Sequence, residues 1–234
     1  MKYQKYQIFK DLKKAIVLLV VISSVVSCSM DDVYSCNEDA NQWAKSNLTE
    51  IRQMSSAAFL EIGGIVYQRA AFNAFTPNQR QTLWIEKLDN VLKLDWTEQE
   101  SQFIESLLEF VKVNSFMFSK ERDQEAFDKI EILFYKWSEF ALKELAWDKK
   151  LLSAIVGTPQ EMNENKEIIS KLPSSPSIKT RSEDDCDCNN EILNDWCMAP
   201  FTKCLAKSCN KIANDCGWFW QFDCVGVCTN YFTL

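Results

Sequence analysis

Ten cysteines dominate the chemistry open to this chain, and eight of them (Cys186, Cys188, Cys197, Cys204, Cys209, Cys216, Cys224 and Cys228) fall within 43 residues. Thiols at such density can ligate a metal, act as nucleophiles, or be oxidised in pairs. The spacing argues against a metal, because no C-x-x-C pair occurs and the chain contains no histidine. A nucleophilic thiol needs a neighbouring base, and histidine is the usual one. Pairing remains. So short a segment cannot bury enough apolar area to hold itself folded, and disulfides make up the shortfall in exported chains. Eight cysteines admit about a hundred pairings, and spacing selects none of them.

The absence of histidine has a wider consequence. It removes the commonest general acid/base, catalytic triads and most zinc or iron sites at once. Five glycines, none in a phosphate-cradling arrangement, leave no nucleotide loop. Carboxylate pairs such as Asp123/Glu125 and Glu139/Glu144 read as solvated helix surface, not as a catalytic dyad. No catalytic residue, metal ligand or cofactor site is assigned, and an enzyme is not expected. The net charge of −7 includes five lysines against the single acid Asp11 in residues 1–27, a net +4, so the remainder carries −11. A body that acidic, with no basic stripe, is not built to bind nucleic acid.

Cys28 is a different kind of site. Lysines crowd residues 1–14, and Ala15–Val26 is an uncharged, mostly aliphatic run. As a helix that run would reach about 18 Å, short of a hydrocarbon core about 30 Å thick. A basic start and a short apolar run make a signal peptide. Val25-Val26-Ser27-Cys28 resembles the bacterial lipobox, which implies acylation of Cys28 and cleavage before it. Acyl chains then anchor the protein, each buried methylene contributing about 0.8 kcal/mol. Ser29 replaces the Asp that retains such proteins on the inner membrane, which points to the outer one. Met30-Asp31-Asp32 resembles the surface-export signals of some Gram-negative lineages. Once Cys28 is acylated nine thiols remain, and Cys36 is free, paired between molecules, or drawn into the tail with a tail cysteine left out; the free state is the one expected.

The elements that position these cysteines are helical. From about Asp39 to Leu172 the apolar period is three to four residues. Thr76-Pro77-Asn78-Gln79 and Thr97-Glu98-Gln99-Glu100 have the form of capping boxes. The stripes that follow are Leu83, Trp84, Leu88, Val91, Leu92 and Phe103, Ile104, Leu107, Leu108, Val111. A longer helix is predicted over about 120–147, with Phe127, Ile130, Phe134, Trp137 and Ala141 inward. Gly63-Gly64 separates two earlier helices, Gly157 stops one, and Thr158-Pro159 starts a last one. No alternating run argues for a sheet. The stripes carrying Trp84, Phe134 and Trp137 read as core.

Residues 173–185 (PSSPSIKTRSEDD) have no apolar period and read as an exposed linker, with Arg181 a candidate cutting point. The tail beyond carries a charge of −2 (Lys203, Lys207 and Lys211 against Asp187, Glu191, Asp195, Asp215 and Asp223), so it is no cationic membrane disruptor. Trp218, Phe219, Trp220 and Phe222 form a dense aromatic cluster. Two readings stand side by side: contact with a protein partner or lipid headgroups, or packing against the body's own groove.

The tail resembles the bacteriocin fulvocin C-related proteins. The likeness lies in the C-x-C opening at Cys186, single cysteines at short intervals, Cys216-Gly217-Trp218-Phe219-Trp220, and Cys224, Gly226 and Cys228. Pro77–Leu88 (PNQRQTLWIEKL) is similar to the helical region of membrane proteins of that family. The resemblance implies antibacterial activity. The expected layout is mainly α: a lipoprotein signal peptide (1–27), an acylated tether (28–38), an irregular helical bundle (39–172), the linker (173–185) and a small disulfide-rich module (186–234). The expected function is that of an outer-membrane lipoprotein, exposed at the cell surface, that antagonises or binds another cell's envelope or a receptor. Release of the tail as a toxin by cleavage near Arg181, or an envelope interaction role without killing, are the alternatives.

Overall fold

The computed structural model describes residues 33–35, 37–119, 123–169, 202–206 and 212–230. Cys28, Cys36, Arg181, Cys186, Cys188, Cys197 and Cys209 lie outside the described residues, as does the linker. The chain is mainly helical, and Tyr34–Leu234 belong to one compact unit.

Short side chains start the helices. Asn37 accepts from the Ala40 N–H at the head of α1 (Glu38–Ser46), which runs on into the single turn α2 (Leu48–Ile51). Ser55 does the same for α3 (Ser56–Leu60). Gly64 then takes a φ of 88°, which costs a glycine little, and α4 (Ile65–Ala74) departs in a new direction. Both expected capping boxes are present, Thr76/Gln79 on α5 (Pro77–Val91) and Thr97/Glu100 on α6 (Glu98–Val113). A 3-10 turn (Ser115–Phe118) follows. Asp123 caps α7 (Gln124–Lys143), Asp148 caps α8 (Lys149–Val156), and Gly157 ends it.

Two expectations are corrected. No helix starts at Thr158-Pro159. The segment to Ile169 is irregular, with one bridge between Met162 and Ile168. The Asn163 side chain accepts the N–H groups of Asn165 and Glu167, and Lys166 takes a left-handed φ of 61°. A side chain that captures backbone N–H groups competes directly with a helix. The tail also contains strands: β1 (Thr202–Ala206) pairs antiparallel with β4 (Gly226–Asn230), and β2 (Ile212–Cys216) with β3 (Phe222–Cys224) across an irregular register. Strands of three to five residues are too short to show a period of two.

The core sits where the expected stripes converge. Leu83, Trp84, Leu88 and Val91 of α5 are buried, as are Phe103, Ile104, Leu107, Leu108 and Val111 of α6, and Phe127, Ile130, Phe134 and Ala141 of α7. Arg80 is also buried. Its guanidinium donates to the carbonyls of Phe72 (2.9 Å), Asn73 (2.7 Å) and Phe118 (3.3 Å), and lies 5.3 Å from the Phe72 ring centre. Two of those carbonyls belong to the last turn of α4: that of Phe72 also accepts the Phe75 N–H at 3.2 Å, whereas the residue four on from Asn73 is Pro77, which has no N–H to give it. One side chain therefore joins the end of α4, the start of α5 and the 3-10 turn. Arg80→Met keeps the stem and strands the carbonyls of Asn73 and Phe118. It should lower unfolding free energy by about 3 kcal/mol or more, read as a lower urea midpoint at 222 nm.

Candidate functional site

Two places gather side chains of unusual type. One is the turn between β2 and β3. Cys216 and Cys224, eight residues apart, are joined by a disulfide and both are buried. Between them Gly217 adopts φ 69° and ψ −157°, a region essentially restricted to glycine, and Phe219 and Trp220 are both left-handed at φ 55°. This backbone turns Trp218, Phe219 and Trp220 out of the sheet and into the helical body, where they are 0%, 0% and 1% exposed. Trp218 stacks on Phe134 of α7 with ring centres 4.9 Å apart and planes within 8°. Its Nε1 donates to the Ser138 hydroxyl at 3.2 Å. Phe219 meets Trp84 of α5 edge-on at 5.1 Å. Trp220 lies edge-on to Phe72 of α4 at 5.2 Å and donates to the Gly157 carbonyl at 2.9 Å. Phe222 packs on Phe127.

The reading of Trp218, Phe219, Trp220 and Phe222 as a face for an outside partner or a membrane is therefore corrected. Their physical destination is the protein's own core, the other reading of the same residues. The reason is supply: Phe72 of α4, Trp84 of α5 and Phe134 of α7 present ring faces and edges, and the tail provides matching rings. Ser138, on the buried stripe of α7, and Gly157, at the end of α8, offer the acceptors that a buried indole N–H requires. Cys204 is also in a disulfide, and the β1–β4 register sets the backbone of Cys228 opposite it.

The second place was not signalled as a site by any motif. Lys87 is 4% exposed on the buried stripe of α5. Its Nζ donates to the backbone carbonyl of Gln160, whose Nε2 donates to Gln68 Oε1 at 2.7 Å. Gln68 Nε2 in turn donates to the Ile62 carbonyl at 3.0 Å. Burial pushes the Lys87 amine down from 10.5 to about 7, against the opposing charge of Glu161. The unfolded chain would hold this proton up to about 10.5. The fold accordingly loses stability as pH falls from 10.5 towards 7, and below that both states carry the proton. Lys87 also lines a cavity of about 310 Å³ between α3, α5 and the 158–169 segment. The sequence did contain a signal: Lys87 stands between Leu83 and Val91 at four-residue spacing, inside an apolar stripe.

A larger, open groove of about 660 Å³ involves Glu100, Trp147, Lys150 and Lys166. Burial raises the Glu100 carboxyl, but hydrogen bonds from the Thr97 N–H, the Trp147 indole and the Thr97 hydroxyl, with Lys166 nearby, outweigh it and hold the group low. This pairing joins the α6 cap to the turn before α8, a structural task. Comparison with family models, curated proteins and solved structures yields no match.

The aromatic turn makes quantitative demands. Trp218→Ala should cost about 3–5 kcal/mol. The paired change Cys216→Ser/Cys224→Ser should cost about 2–3 kcal/mol through the freed loop. Denaturant titration followed at 222 nm checks both; unchanged midpoints would place the turn outside the core.

Proposed function

We propose that this chain is an exported bacterial lipoprotein, tied through Cys28 to the outer membrane, that acts by binding in the cell envelope. Its fulvocin C-like tail then works as a built-in part of the binding body. Antagonism of a competitor is the activity that the resemblance implies, and a receptor or envelope component is the partner it would need.

The observation that carries this reading is the oxidised turn at Cys216–Cys224 inside the helical core. A core completed by a disulfide needs an oxidising compartment, and such compartments lie beyond the cytoplasm. The signal-like residues 1–27 and the lipobox-like Val25–Cys28 supply the route. An acidic body is repelled by anionic headgroups, so in this reading the acyl chains on Cys28 supply the attachment.

The alternative of a released toxin gains no support from the packing. Cleavage near Arg181 would leave the tail held by Trp218, Phe219, Trp220 and Phe222 among the rings of α4, α5 and α7. Freeing it would expose all four rings together.

Cells fed labelled palmitate should incorporate it into this chain, and Cys28→Ala should abolish the label and move the protein to the soluble fraction. An unlabelled wild-type chain rejects the anchor. Purified oxidised protein, applied to related strains, should slow growth if binding is antagonistic. Retained envelope binding without growth inhibition would assign the interaction role alone.

A further inference from the structure

Arg80 and Lys87, the two cations buried among the described residues, differ in what the fold asks of them. Arg80 donates to three backbone carbonyls, two of which, Asn73 and Phe118, depend on it. Lys87 has one acceptor among the described residues, the carbonyl of Gln160. A methionine or leucine at this point of the α5 stripe would complete the packing without desolvating an amine, so helix packing does not account for the nitrogen. The nitrogen is nevertheless held in place, through Gln160 and its bond to the buried Gln68. Beside this side chain lies the cavity that Lys87 lines, with Leu60, Leu83, Met162 and Ile169 as apolar wall and Glu86 and Glu161 as its acids.

We infer that Lys87 and this cavity form a capture site for a small, uncharged, apolar aldehyde, bound covalently as an imine. The volume lies at the small end of the range for molecular sites. The apolar wall selects hydrocarbon, and the two carboxylates disfavour an anionic ligand. Imine formation is balanced within the pair: the nitrogen lone pair attacks the carbonyl carbon, and a proton passes from nitrogen to oxygen to give the carbinolamine. Loss of water, carrying both former amine hydrogens and the carbonyl oxygen, leaves the C=N bond. No oxidant or reductant is consumed. The attacking species is a neutral amine, which a lysine buried this deeply supplies near pH 7 while exposed lysines remain protonated. At that pH the neutral fraction exceeds that of an ordinary lysine by roughly 10³-fold.

Hexanal with sodium cyanoborohydride at pH 7 tests the site on the purified full chain, the reductant converting any imine into a stable secondary amine. Peptide mapping should find Lys87 modified at least about tenfold more than the mean of the other lysines, with the α-amino group as internal standard. Unfolding in guanidinium should erase that preference. Lys87→Met, which preserves the stem and keeps the 222 nm signal, should lose the favoured adduct. Modification of Lys87 at or below the mean of the other lysines overturns the inference, as does an unchanged dominant adduct in Lys87→Met.

Discussion

The structure depends on the insertion of one short turn, residues 218–222, among helices formed far earlier in the chain. Burying a large apolar side chain contributes about 1.5–3 kcal/mol, and favourable ring geometry adds about 0.5–1.5 kcal/mol for a pair. Against this stand two left-handed residues, Phe219 and Trp220, costing about 1–3 kcal/mol each. With four rings buried, packing wins. The disulfide shifts the balance further by limiting the conformations open to the unfolded loop, and Gly217 supplies the backbone turn that a side chain would forbid. Without the turn, Trp84, Phe134 and Phe72 would each lose a ring partner, and α4, α5 and α7 would lose a shared one.

This dependence binds fold to compartment. A helical body whose aromatic turn is braced by a disulfide gives up about 2–3 kcal/mol wherever reductant dominates. The tail's aromatic turn is small but not peripheral, since Trp218, Phe219, Trp220 and Phe222 are all buried.

The helices were legible because their signals are local. Thr76 and Thr97 cap as their spacing requires, Gly64 and Gly157 turn or stop where glycine should, and the stripes of α5, α6 and α7 face inward. The Thr158-Pro159 start failed because Asn163, five residues from Thr158, takes the N–H groups a helix would need. The fate of Trp218–Phe222 was not decided by spacing, since a dense aromatic cluster suits an interface and a core equally. Only the partner rings on three helices decide it, and those come from positions more than 70 residues away. Lys87 was legible in principle as a charge inside an apolar stripe. Its bond to Gln160, 73 residues on, was not.

The most direct measurement separates covalent continuity from packing. A single engineered protease site within residues 173–185 would let the purified, oxidised protein be cut once between helical body and tail. If the aromatic turn holds the core together, the two fragments will elute as one species in gel filtration without denaturant and part only when urea unfolds the body. Separation of the fragments in native buffer, with the helical piece unchanged at 222 nm, would contradict the account.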